Sequence, residues 1–495
     1  MIIDGYRYPQ NDELTKAVGE AMALYAIPAS PASRGNTVEI ANRVIASPYQ
    51  VVTVLEFSTA ADGLQRWEEV SSIAPAGESR RDAARRLTQM NILALLQKLT
   101  GRIPTPWGIL RGVRPGKLAH RFFDQGLPLT GVVARLQSDY AVTPAKAELI
   151  ADIAQRQRTL LLSPAEAKKT VSVYIGIPFC PSRCLYCSFP AYLLPADRAA
   201  LDSFLGALEE DISAAAEVIS RYGLSVQTVY IGGGTPTSLP AADFERLLAT
   251  VREAFFSCAT REFTVEAGRP DTLDDAKIAA MRRAGVTRIS VNPQTMQEKT
   301  LKLIGRRHSV HDIIVVLEKT RSAHIPVVNM DIIVGLPGED EAQLADTMDQ
   351  IAGLAPDNLT VHTLAIKKGS RLKDGRAGFE LPREGAAARM LAIADGCARK
   401  LGMVPYYLYR QKYMADNLEN IGYALPGREC LYNIQIIEER QTVIGIGPAA
   451  ATKAVEPGDW RLTRSYMPKD LSTYINYLAK HLDRRGQLLA RLMES

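Results

Sequence analysis

The alternation of apolar and polar positions changes character at about residue 168. Beyond it, short apolar runs alternate with amphipathic stretches, so a two-residue period and a 3.6-residue period take turns. The apolar runs predict strands over 171–177, 227–231, 262–266, 288–291, 327–334 and 358–364. Between them the spacing predicts helices near 196–222, 241–256, 273–283, 297–304, 309–323 and 341–354. Strands that alternate with helices imply parallel pairing with helical crossovers. Six such units give an α/β fold with a partial (β/α)6 barrel over 169–372. Chemistry in such barrels sits at the C-terminal strand ends.

The flanking regions are less regular. Residues 80–100 predict a helix whose apolar face holds Leu87, Ile92, Leu93, Leu95, Leu96 and Leu99. Further helices are predicted near 117–138 and 144–158, after a Pro- and Gly-punctuated stretch at 105–118. Residues 1–168 are expected to form an N-terminal domain of mixed α and β structure. Residues 373–495, with PYYLY at 405–409 and TVIGIGPAA at 442–450, are expected to form a C-terminal α/β region on the substrate side.

Composition adds bounds. The 495 residues are 46% hydrophobic and 23% charged, normal for a globular protein of two or three domains. No apolar run approaches the roughly 20 residues that span a bilayer, and the N-terminus lacks the apolar core of a signal peptide. No membrane span and a cytoplasmic location are expected. Residues 80–121 carry ten Lys or Arg against the single acid Asp82. Such a segment attracts anions, or is a solvated helix face; nucleic acid is not the expected partner.

Three of six cysteines crowd into VYIGIPFCPSRCLYCSF (173–189), with C-x3-C-x2-C spacing where the first barrel strand ends. Short spacings of thiolates let one loop wrap an iron–sulfur cubane. Three ligands, Cys180, Cys184 and Cys187, leave one iron of a [4Fe–4S] cluster open to the amino and carboxylate groups of S-adenosylmethionine (SAM). Structural zinc lacks a fourth ligand nearby, and a thioredoxin-like pair leaves Cys180 unused. Cys258, Cys397 and Cys430 show no ligand spacing; Cys430 is the one worth testing for a role.

Candidate SAM contacts follow at successive strand ends. Gly233, Gly234 and Thr235 stand in IGGGTP (231–236), where glycines let backbone approach a ligand; no Lys completes a phosphate loop. Glu266 ends the third strand, and Gln294 follows the fourth with both a donor and an acceptor. Asp331 is a carboxylate in an apolar strand, which needs a partner. Arg306, or its neighbour Arg307, suits a carboxylate. For each residue singly, a structural hydrogen bond explains the side chain equally well; together they favour a ligand.

Taken in order, YIGIPFCPSRCLYCSF, YIGGGTPT, EFTVEAGRPD, SVNPQTM and DIIVGLPGE resemble the motifs of the oxygen-independent coproporphyrinogen III oxidase family, within the radical SAM superfamily. The resemblance covers about 171–372, weakens towards 450, and is strongest to the HemZ, coproporphyrinogen dehydrogenase-like branch. That branch also carries a PWGILxGxRPxKL-like segment, matched at 106–118. The resemblance implies oxidative decarboxylation of coproporphyrinogen III to protoporphyrinogen IX by a 5′-deoxyadenosyl radical. It implies cluster ligation by Cys180, Cys184 and Cys187. It also implies SAM methionine contacts at Gly233 and Gly234, its carboxylate at Arg306, and its ribose side at Glu266, Gln294 and Asp331. Tyr174 matches the family tyrosine close to the cluster. Members of the family can hold a second SAM.

Two departures stand out. Gly176 replaces the His of the usual Y-x-H-I-P-F-C, and Phe189 replaces a further Cys. Heme-binding chaperones of the family also lack that Cys, so a heme chaperone is the alternative; His308 and His311 open a helix pattern and are its candidates, though a structural role explains them too. Another radical SAM reaction on a tetrapyrrole, such as methyl transfer or ring opening, is a further alternative. The expected partners are a porphyrinogen or related tetrapyrrole, drawn by Arg410 and Lys412, and an external low-potential donor such as flavodoxin or ferredoxin. No second cluster motif is present.

Overall fold

In the strands of the C-terminal two thirds, residues that face one way are apolar and those that face the other are polar. This alternation is the signature of a sheet rolled around a polar interior. The computed structural model describes residues 3, 5–10, 12–29, 37–46, 49–59, 63–72, 78–110, 114–375, 378–411 and 413–494. The chain divides into two units: Met1–Gln155 with Arg410–Lys412, and Arg156–Tyr409 with Tyr413–Ser495.

In the first unit, β1 (Gly5–Arg7), β2 (Thr37–Ala46), β3 (Tyr49–Thr59) and β4 (Gly63–Ser72) form a sheet in that order. Only the β1–β2 pair is parallel. Leu55 and Phe57 of β3 pack on Ile92, Leu95 and Leu96 of the helix Arg80–Thr100, the helix predicted there. Asn91 of that helix donates to the Val51 carbonyl at 3.0 Å, so its buried amide is matched. The helix expected over 117–138 is two helices, Pro115–Asp124 and Leu129–Tyr140. Gly126 adopts φ +86° and Pro128 follows, which has no N–H to continue the ladder. The basic stretch is partly paired: Arg81 meets Glu13 at 3.4 Å and Arg86 meets Glu78 at 2.9 Å. Positions 111–113 of the PWGILxGxRPxKL-like segment lie outside the described residues.

The second unit is built on one sheet of eleven strands. Its parallel core is β5 (Thr170–Ile177), β6 (Ser225–Gly233), β7 (Glu262–Glu266), β8 (Arg288–Ser290), β9 (Val327–Val334) and β10 (Asn358–Thr363), paired in sequence order. Next to β10 come β12 (Asn420–Ala424) and β11 (Val404–Tyr409); next to β5 come β13 (Thr442–Ile446), β14 (Ala451–Glu456) and β15 (Arg461–Tyr466). The β13 strand pairs parallel with β5 and places Gly445 against Tyr174. Residues 373–495 therefore extend both edges of the core sheet and do not form a third unit. The first unit ends at Gln155, short of the expected 168.

Val265, Ile289, Met330, Ile332, Leu359 and Val361 are buried on one face of the strands. Their alternates Glu266, Arg288, Ser290, Asp331, Thr360 and His362 line a cavity. Behind the sheet, Asp211 accepts from Arg485 at 2.5 Å, Tyr474 at 2.9 Å and the Gly447 amide at 2.9 Å, all buried. This cluster joins the helix Arg198–Arg221, the helix Leu478–Met493 and the turn after β13. Removing one partner strands a buried charge. Arg485→Leu should therefore cost about 3–5 kcal/mol, read as a lowered urea midpoint at pH 7.

Candidate cofactor-binding site

The cysteine loop leaves the C-terminal end of β5. Its path is held by backbone bonds: Cys180 N–H to the Tyr192 carbonyl at 2.9 Å, and Leu185 N–H to the Ile304 carbonyl at 2.9 Å. The three thiols are unbridged; Cys184 is buried, and Cys180 and Cys187 are partly so. Burial pushes the Cys180 and Cys187 thiols up from their ordinary value. Among the described residues no three His, Cys, Asp or Glu side chains converge on a single ion. Three thiols on one short loop are the donor set that a cubane takes, each thiolate on its own iron.

Two buried guanidinium groups back the loop. Arg269 holds Asp271 through two bonds of 3.0 Å, donates to Ser182 Oγ at 3.1 Å and approaches Cys184 Sγ at 3.8 Å. Burial raises the Asp271 carboxyl, but hydrogen bonds from His308 and Arg269 outweigh it and hold the group well below the usual range. Arg306 donates to the Gly268 and Asn292 carbonyls at 2.9 and 2.6 Å and to Tyr186 Oη at 3.3 Å. Its Nε is buried without a partner. Arg307 is exposed, so Arg306 is the arginine that faces inward.

The glycine loop after β6 lies against the start of the cysteine loop. Gly234 N–H donates to the Ile177 carbonyl and Thr235 N–H to the Phe179 carbonyl, both at 2.7 Å. A Cβ at Gly234 would fall 2.5 Å from the Phe179 carbonyl oxygen, so no larger residue fits. Gly233 has φ +106°, a region side chains avoid. Thr235 Oγ1 comes within 3.6 Å of Cys180 Sγ.

The barrel interior carries the remaining candidates. Glu266 accepts from Tyr230 Oη at 2.6 Å and from the Gly233 amide at 3.1 Å. Burial, with Asp331 adding repulsion against these hydrogen bonds, pushes its carboxyl up to about 7. Asp331 accepts from Asn329 at 2.7 Å and lies 3.5 Å from His362 Nε2. Burial raises it, yet His362 and Asn329 keep it below the ordinary carboxylate value. Gln294 has φ +69°, exchanges backbone bonds with β9, and leaves its Oε1 buried and unmatched, as Asn292 leaves Oδ1. Tyr174 stacks with Tyr230 and Tyr432 at ring distances of 6.1 and 6.2 Å. Tyr230, Glu266 and Asp331 line a cavity of about 210 Å³ with Arg288, His362 and Cys430.

Of the predicted residues, Cys180, Thr235, Gly234, Gly233 and Glu266 are thus linked by a chain of contacts. Arg269, Asp271, Tyr186, His362 and Arg288 were not singled out in the sequence. Arg269 directly follows the third strand in the quoted EAGRPD, and His362 alternates inward in β10; those were the available signals. Arg410 does not serve a substrate: it is buried over the Trp107 ring and donates to the Leu110 carbonyl, both in the first unit. Lys412 lies outside the described residues. Cys430 is buried before the helix Leu431–Glu438, 3.2 Å from Glu262 Oε1, while Glu262 Oε2 accepts that helix's Leu431 N–H at 2.8 Å.

Residues 174–351 match the Radical SAM superfamily. The chain is 39% identical to the oxygen-independent coproporphyrinogen-III oxidase-like protein HemZ of Bacillus subtilis, over 81% of this chain and 80% of that protein. It is 33% identical to the oxygen-independent coproporphyrinogen III oxidase of Bradyrhizobium diazoefficiens, over 58% and 64%. It is 32% identical to the heme chaperone HemW of Bacillus subtilis, over 40% and 51%. Among solved structures, the radical SAM coproporphyrinogen III oxidase HemN of Escherichia coli aligns with a TM-score of 0.50 at 23% identity, over 64% of this chain and 71% of that one, a likeness of fold.

Glu266 gives a pH signature. Its folded-state carboxyl titrates at about 7 against an ordinary value of 4.5. The stability it contributes is present below the unfolded value and lost as pH rises through 7. Glu266→Gln should flatten the fall in unfolding free energy across that window, measured by urea titration at stepped pH. Gly234→Ala should displace the Phe179 carbonyl, seen as lost protection of the Thr235 amide in hydrogen exchange.

Proposed function

Because the chain belongs to the radical SAM superfamily, in the family of oxygen-independent coproporphyrinogen-III oxidase-like proteins, we propose that it converts coproporphyrinogen III to protoporphyrinogen IX without oxygen. The superfamily's cofactors are a [4Fe–4S] cluster and SAM. In this reading Cys180, Cys184 and Cys187 hold the cluster. Gly233, Gly234, Thr235, Glu266, Gln294, Arg306 and Asp331 take SAM, and Tyr174 flanks the reacting centre. The observation that carries it is the three-thiol loop at the end of β5, together with buried polar atoms that have no hydrogen-bond partner in the segments following β8: Arg306 Nε, Gln294 Oε1 and Asn292 Oδ1. One donor and two acceptors are what a zwitterionic nucleoside needs to meet.

When bound, the cofactors would supply a 5′-deoxyadenosyl radical able to take a hydrogen atom from a propionate β-carbon, and carbon dioxide together with one electron, passed to an external acceptor, would leave to give the vinyl group. The chain's own residues orient and shield. Arg269 and Arg306 place positive charge beside the cysteine loop, at Cys184 and Tyr186. The glycine loop holds its amides close to the strand end because no side chain intervenes. Glu266 stays poised near neutrality, able to accept a hydrogen bond from a ribose hydroxyl in place of the one from Tyr230. The stacked rings of Tyr174, Tyr230 and Tyr432 add apolar surface beside Glu266.

A heme-binding chaperone is the second reading, supported by the relatives of that name and by Phe189 in place of a cysteine. Its two candidate histidines differ: His308 is buried 3.5 Å from Asp271, whereas His311 is exposed. The test is an anaerobic assay of reconstituted protein with dithionite, SAM and coproporphyrinogen III, following 5′-deoxyadenosine and porphyrin mass. Loss of two carboxyl groups, abolished in Cys184→Ala, is expected. SAM cleavage with unchanged porphyrin and saturable heme binding would favour the chaperone. A protein with its cluster assembled but unable to cleave SAM would count against both.

A further inference from the structure

The segment after β10 straps the outside of the cysteine loop. Arg183, between the first two cysteines, donates to the Gly369 carbonyl at 2.6 Å, and Leu372 N–H donates to the Leu185 carbonyl at 2.9 Å. Leu364 and Leu372 pack with Leu185, flanked by Ile366 and Tyr186. The strap carries Lys367, Lys368, Arg371 and Lys373 against one acid, Asp374, within 364–375. Among the described residues no ion pair engages these four cations or Arg183. Arg183, Lys368, Arg371 and Lys373 are exposed, and Phe189, two residues beyond Cys187, is 64% exposed. Arg183 and the strap are thus tied by direct bonds to the loop that carries Cys184 and Cys187.

We propose that this rim, an exposed Phe189 bordered by unpaired cations over the cysteine loop, is the docking surface for a small acidic one-electron carrier protein. The spread of the charges chooses the partner. A small carboxylate is gripped by convergent, buried donors, whereas exposed like charges around an apolar residue steer and seat a large, oppositely charged protein. Position agrees, because a carrier on this rim sits against Cys187, and the sequence holds no second cluster motif to relay from elsewhere. One electron passes from the carrier's reduced flavin or iron–sulfur centre, which is oxidised, to the cluster, which is reduced; no atom is transferred. The inference rests on the cluster assignment above and not on the tetrapyrrole.

The test is stopped-flow reduction of the reconstituted protein, followed by bleaching of cluster absorbance. Reduced flavodoxin is the probe, and photoreduced 5-deazaflavin is the small uncharged control. In the triple variant Lys368→Glu, Arg371→Glu, Lys373→Glu the second-order rate with flavodoxin should fall roughly 10- to 100-fold at low salt. The gap should narrow at about 0.5 M salt, where charges are screened within a few ångströms. The 5-deazaflavin rate should be unchanged, which shows that the variant is folded and loaded. Equal flavodoxin rates in variant and wild type would overturn the proposal. So would an unchanged flavodoxin rate with weakened coproporphyrin III binding, which would assign the rim to substrate carboxylates. A wild-type protein that assembles no cluster would instead sink the cluster assignment itself, a failure visible before any rate is measured.

Discussion

Each polar side chain that β7 to β10 send inward must find its hydrogen bonds inside a narrow closed space, and the rest of the second unit is arranged around that demand. Glu266 is matched by Tyr230 and the Gly233 amide, and Asp331 by Asn329 and His362. The terminal nitrogens of Arg288 are matched by the Asn358 side chain and the Arg428 and Glu429 carbonyls, and its Nε lies 3.6 Å from Glu262. In such surroundings an unmatched group costs about 1–3 kcal/mol. The matching partners therefore come from wherever the chain can supply them, including the C-terminal segment. That is why residues beyond 400 are woven into the sheet: Glu262 at the start of β7 takes the first amide of the helix Leu431–Glu438. Arg306 Nε, Gln294 Oε1 and Asn292 Oδ1 are among the buried atoms left unmatched.

Backbone proximity is the second organising feature. Thiols and glycines are brought together by main-chain bonds of 2.7 Å between the loop after β6 and the end of β5. Side chains rotate, but two bonded backbones with no Cβ between them move as one piece. The cysteine loop thus inherits its position from the sheet, although it has no regular structure of its own. Arg269 adds directional charge from behind the loop, and Arg306 faces inward beside Tyr186.

Much of the barrel was legible in the sequence because its signals are local. The strands Glu262–Glu266 and Val327–Val334 and the helix Glu341–Leu354 have the bounds their apolar periodicity gives. The strand-end positions of the cysteines, the glycines and Glu266 were readable for the same reason. What was not legible is non-local. TVIGI reads as an apolar run, but nothing in it says that it will lie beside β5. Arg410 reads as a free charge until Trp107, distant in sequence, is found beneath it. His362 passes for one more residue of an apolar strand until its neighbour across the sheet, β9, brings Asp331 to it. The break at Gly126–Pro128 was local and could have been read from its proline.

The turn after β13 has a consequence for how this sequence can change. A Cβ at Gly447 would meet the Gly176 carbonyl oxygen at 2.4 Å, and a Cβ at Gly176 would meet the Pro448 carbonyl oxygen at 3.1 Å. The histidine that related motifs place at position 176 would press its Cβ on that carbonyl, so the turn has to give by a few tenths of an ångström to admit it. The two segments, far apart in the chain, thus form an interlocking pair: a side chain at position 176 is tolerated only as far as the turn after β13 can yield.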